Sequence, residues 1–129
     1  MAKRKKLALA RLTTHEAEAV RAFVKAVKTR FPGRIIRIAL FGSKARGESR
    51  AESDIDVLVV VRQENWRMNN AISTLAARIS LEWDVLLGPI VIGQERWERM
   101  GREKFSLYRN ILRDGLVLEE SGVVSTLAQ

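Results

Sequence analysis

Cysteine is absent from the chain of 129 residues, and there is a single histidine, His15. Without cysteine there are no disulfides, thiolate metal sites or cysteine nucleophiles, which fits a protein of the reducing cytoplasm. His15 falls in the first turn of a helical pattern, where an exposed residue is the default. A Ser-His-Asp triad and a histidine-rich metal site are therefore excluded. No apolar run approaches the ~18–20 residues of a membrane span. The basic opening is followed by an apolar run over residues 7–10 that ends in Arg11, too short for a signal peptide. With a hydrophobic fraction of 47%, the chain can bury a core and reads as globular. Its length suits one domain over residues 1–129, with a basic N-terminal segment over 1–12 and a loose tail over 121–129.

The formal net charge is +8. Lys3, Arg4, Lys5 and Lys6 supply four positive charges at the start, and the others are scattered among acids. That pattern favours a basic rim drawing in a nucleoside triphosphate or an acidic protein partner over direct nucleic-acid binding.

Thr13-Thr14-His15-Glu16 reads as a capping box opening a helix. Ala17, Val20, Val24, Val27 and Phe31 follow at helical spacing until Pro32-Gly33. Strands are expected over 35–41 and 54–61, with a short helical turn over 43–46 and a polar loop over 47–52 between them. Asn65 is placed to cap a second helix whose stripe is Met68, Ile72, Leu75, Ala76 and Ile79, with Trp66 and Met68 assigned to the core. A third strand is expected over 82–87, interrupted at Gly88-Pro89 and resumed over 90–92. Short helices follow over 94–101, with Trp97 and Met100 inward, and over 105–112. Residues 116–118 form a last apolar segment. This order predicts an α/β domain, a small mixed sheet with helices packed mainly on one face.

The stretch from Leu40 to Val61 carries the chemistry. A strand ends in Phe41-Gly42-Ser43. After ten intervening residues, 44–53, Asp54-Ile55-Asp56 opens the next strand. Residues i and i+2 of a strand share a face, so Asp54 and Asp56 project side by side with Leu58 and Val60. Ile55, Val57, Val59 and Val61 point the other way, and apolar residues on both faces predict a strand covered on both sides. Two adjacent carboxylates at a buried strand disfavour each other's charge. A hard cation relieves that cost, and oxygen ligands favour Mg²⁺, or Mn²⁺, over zinc. Gly42 lets backbone come close to a ligand, and Ser43 at the start of a helical turn suits a phosphate. Metal and phosphate at adjacent strand ends equip a site for phosphoryl or nucleotidyl transfer.

A third acid could complete a metal site or act as base. Asp84 is the candidate, at the start of the expected third strand, and Glu82 shares its face. Arg46, or failing it Lys44, would hold a triphosphate oxygen or the pyrophosphate leaving group.

Gly42-Ser43, ten residues, then Asp54-x-Asp56, with Ala45-Arg46-Gly47 inside the loop, resembles the signature of the minimal nucleotidyltransferases. These are the smallest members of the DNA polymerase beta-like nucleotidyltransferase superfamily. The resemblance is specific over 40–61 and extends loosely over 35–118. It implies a nucleotidyltransferase-like core of a short mixed sheet backed by helices, and a third acid on a following strand, where Asp84 falls. It implies Mg²⁺-dependent transfer of AMP from ATP, with Asp54, Asp56 and Asp84 at the metal and Gly42, Ser43 and Arg46 at the phosphates. Little follows Leu118, which leaves the acceptor side of the cleft open and favours an acceptor on a protein partner. Minimal nucleotidyltransferases commonly pair with helical HEPN toxins and modify a toxin tyrosine, so the resemblance implies an antitoxin; a homo-oligomer is compatible with it. Two other readings stand beside it: an antitoxin acting by contact alone, and a small-molecule enzyme acting on an aminoglycoside-like alcohol.

Overall fold

Thr13 starts the first helix as its sequence predicts. Its hydroxyl accepts the Glu16 N–H at 3.1 Å, and the Glu16 carboxylate accepts the Thr13 N–H at 3.0 Å. The computed structural model describes residues 12–46 and 54–120, apart from the side chains of Ser43, Arg46 and Glu120. The basic segment expected over 1–12 lies outside the described residues except for Leu12, as do the loop residues 47–53 and the tail 121–129. The elements are α1 (Thr14–Arg30), β1 (Ile35–Phe41), α2 (Gly42–Arg46), β2 (Ile55–Val61), α3 (Trp66–Trp83), β3 (Leu87–Gly93), α4 (Gln94–Arg102), α5 (Ser106–Asp114) and β4 (Leu116–Glu120).

The described strands form one mixed sheet in the order β3-β2-β1-β4. β1 is antiparallel to β2 and to β4, whereas β2 and β3 run parallel. The last apolar segment thus becomes an edge strand. α3 is the crossover that a parallel β2–β3 pair requires.

β2 is buried on both sides because its side chains alternate between two cores. Ile55, Val57, Val59 and Val61 join Phe23, Val27, Met68 and Ile72 beneath the long helices α1 and α3. Leu58 and Val60 join Ile36, Trp97, Met100 and Ile111 beneath the short helices α4 and α5. The second sheet face therefore carries its own helical cover. Trp97 is fully buried and packs against Tyr108 with the rings tilted by 46° and their centroids 4.5 Å apart.

Three expectations need correcting. Trp66 is not core: it is 67% exposed, with the Arg67 guanidinium over its ring. Of the strand expected over 82–87 only Leu87 is strand: residues 82 and 83 are the end of α3, and 84–86 link it to β3. Trp83 follows Ile79 by four residues and packs on the larger core, so the helical stripe simply continues. Gly88-Pro89 does not interrupt β3, which pairs with β2 from Leu87 to Gly93 without a break. β3 is an edge strand, where the missing N–H of a proline is tolerated.

Candidate active site

β1 delivers Phe41 opposite Asp56 in the antiparallel register. The chain then turns at Gly42 with φ +74°, a left-handed conformation that favours glycine. A Cβ built on Gly42 would collide with Asp56 Oδ2 and stand 3.2 Å from Asp56 Cγ. The Asp56 carboxylate therefore lies directly against the turn. On its other side the register places Gly88 of β3 opposite Asp56. A Cβ there would meet Asp56 Oδ1 at 3.6 Å. Asp56 thus reaches out between two glycines, half-buried, while Asp54 just before β2 is exposed. The sheet brings Gly42, Asp54 and Asp56 to one end of β1 and β2, as the spacing predicts.

The backbone of Ser43 and Arg46 belongs to α2, which packs against β1, β2 and α5. Their side chains, expected at the phosphates, lie outside the described residues.

Asp84 is not placed at the start of a strand. It caps the C-terminus of α3 in the left-handed conformation, φ 52° and ψ 52°, and its N–H donates to the Ser80 carbonyl. Val85 N–H converges on the same carbonyl at 3.1 Å. Aspartate is among the few non-glycine residues that accept this geometry readily. The Asp84 side chain is exposed, and among the described residues no three acids or histidines gather where they could hold one metal ion. The third acid is therefore not assembled with Asp54 and Asp56. Glu82 is likewise an exposed residue of α3.

The pair that is present still suits a hard cation. Mg²⁺ is commonly held by one or two carboxylates, with waters and substrate phosphates completing its shell.

Lys44, offered above as an alternative to Arg46 at the phosphates, lies elsewhere. It is 2% exposed, and its ammonium lies 2.5 Å from Glu16 Oε2. It turns inward to α1 and presents no surface to a phosphate. Burial raises the Glu16 carboxyl, but hydrogen bonds from Lys44 and Thr13 and the Lys44 charge outweigh it, leaving the group below its ordinary range. Glu16 is legible in the sequence as a capping-box residue; its ion pair, across 28 residues, has no local signal. His15 is exposed, as expected, yet its Nε2–H donates to the carbonyl of Trp83, beside Asp84.

Residues 20–118 match the family described as the nucleotidyltransferase domain. Two Methanocaldococcus jannaschii proteins classed as protein adenylyltransferases are similar in sequence. MJ0604 is 36% identical over 104 residues, covering 81% of this chain and 98% of its own. MJ0141 is 37% identical over 75 residues, covering 57% of this chain and 76% of its own. Among solved structures, a toxin–antitoxin crystal structure with AMP-PNP superposes with a TM-score of 0.59 at 19% identity, covering 82% of this chain and 78% of that one. A Shewanella oneidensis complex of a tri-AMPylated HEPN toxin with its MNT antitoxin gives 0.53 at 14% identity, covering 89% and 81%. At these identities the structural likeness concerns the fold.

Proposed function

The chain belongs to the nucleotidyltransferase domain family, and from that premise we propose that it transfers AMP from ATP to a tyrosine hydroxyl of a helical HEPN partner, as the antitoxin of a toxin–antitoxin pair. The observation that carries the site is the Asp56 carboxylate set against the Gly42 turn, which joins the expected metal end of β2 to the expected phosphate end of β1. The likeness to protein adenylyltransferases supports a protein acceptor. The fold shared with an antitoxin of an AMPylated HEPN toxin supports the partner.

In this reading Asp54 and Asp56 hold Mg²⁺, which when bound neutralises developing charge on the phosphates. The backbone at Gly42-Ser43, with no side chain at position 42 to obstruct it, seats the triphosphate. Ser43 and Arg46 belong to the same proposed phosphate set. The acceptor oxygen attacks the α-phosphorus, and the bond from that phosphorus to the bridging oxygen of the β-phosphate breaks. Pyrophosphate leaves with the bridging oxygen, and the hydroxyl proton passes to solvent. Asp84 is left to its helix cap, so this chain contributes two carboxylates rather than three.

The test is to incubate the protein with ATP, Mg²⁺ and a co-expressed HEPN partner, then map the modification by mass spectrometry. An AMP adduct on a partner tyrosine that disappears with Asp56→Asn is the expected result. An unmodified partner that is nevertheless bound and neutralised would favour an antitoxin acting by contact alone.

A further inference from the structure

We infer that Glu16 of α1, acting through Lys44, positions the Gly42-Ser43 turn for the triphosphate. This rests on the reading that the turn holds the triphosphate. α2 has only five residues, too few to be stable alone, so its placement depends on tertiary contacts. Lys44 directly follows Ser43, and its buried ammonium meets Glu16 Oε2 at 2.5 Å. The glutamate is itself fixed at both oxygens, since Oε1 accepts the Thr13 N–H at 3.0 Å. Ala45, next along α2, is buried in the core shared with α1. A charge-assisted hydrogen bond is directional where apolar contact is not. The pair therefore sets how α2 is rotated on the sheet, and with it where the backbone N–H groups of the turn point. The first turn of α1 becomes part of the binding apparatus without touching the ligand.

A merely structural ion pair would lower stability and leave ligand affinity alone, so the two are measured together. Four proteins are compared by thermal melt and by calorimetric titration with AMP-PNP and Mg²⁺: the parent, Glu16→Gln, the double variant Glu16→Leu with Lys44→Met, and Asn65→Ala. Asn65 caps α3 through a 2.8 Å bond from Met68 N–H, so its loss supplies ordinary destabilisation on another helix. The double variant replaces the ion pair by apolar side chains and stays informative if Glu16→Gln does not fold. Expected is an affinity loss of about tenfold in both Glu16 variants. Asn65→Ala should melt lower yet bind within about twofold of the parent. In steady-state assays Glu16→Gln should raise KM for ATP more than it lowers kcat. Parent-like affinity in the folded Glu16 variants overturns the inference, and so does an equal loss in Asn65→Ala. A parent that does not bind AMP-PNP removes the triphosphate reading itself, and the inference with it.

Discussion

The carboxylate of Asp56 fills the space that a side chain on Gly42 would need, so the turn and the acid are matched to each other. Replacing Gly42 by alanine places a Cβ at φ +74° and against Asp56 at once. The backbone strain alone is about 1–3 kcal/mol. Gly42→Ala should lower the melting temperature and reduce AMP transfer by at least about 100-fold, because the acid and the turn can no longer hold their relative positions. A folded Gly42→Ala protein with parent-like transfer would show that their contact is incidental.

Asp54→Asn and Asp56→Asn should each reduce transfer by at least about 100-fold, the scale of losing one electrostatic stabiliser. Asp84→Asn should stay within about tenfold of the parent and fold normally, since asparagine also accepts the left-handed cap. Asp84→Ala should cost about 1 kcal/mol through that conformation. Rates and melts for these variants check the division of labour. An Asp84→Asn loss as large as that of Asp56→Asn would restore a third acid to the site.

His15→Ala should cost about 1 kcal/mol, the net worth of one hydrogen bond, because His15 ties the start of α1 to the carbonyl of Trp83. Its transfer rate at saturating ATP should be unchanged. Denaturant unfolding curves indistinguishable from the parent would remove the tether.

The lowered Glu16 carboxyl makes part of the stability pH-dependent. A carboxylate whose folded pKa lies below its unfolded one contributes stability above the unfolded value, and loses it as pH falls through the folded value. At neutral pH, Glu16→Gln should cost about 2 kcal/mol by removing the charged partner that the buried Lys44 ammonium has in Glu16. The two proteins should converge only as pH falls through the lowered folded value, which lies below the ordinary glutamate value of about 4.3. A stability difference that stays constant into acid would mean that the Lys44–Glu16 bond does not supply this dependence.

Local patterns carried most of the fold. The Thr13–Glu16 capping box, the α1 stripe and the alternation along β2 all appear where they were read. The Gly42 turn and the Asp54-x-Asp56 pair were legible because their spacing is short and the strands fix their directions. An acid before an apolar run looks alike at a strand start and at a helix end, so that pattern alone does not distinguish the strand start expected for Asp84 from the helix cap it forms. The signal that separates the two is Trp83, four residues after Ile79 on the same helical stripe. Lys44 could not be found in this way, since only the folded chain brings Glu16 of α1 to its ammonium. The parallel pairing of β2 and β3, which puts Gly88 opposite Asp56, is equally a product of the whole sheet.

The most direct measurement compares ATP labelled at the α-phosphate with ATP labelled at the γ-phosphate, each given with Mg²⁺ to the parent and to Asp56→Asn together with the partner. Nucleotidyl transfer predicts label on the partner from α-labelled ATP alone, γ-label recovered as pyrophosphate, and no transfer above background with Asp56→Asn. Label on the partner from γ-labelled ATP, or equal α-labelling by parent and variant, would contradict the account.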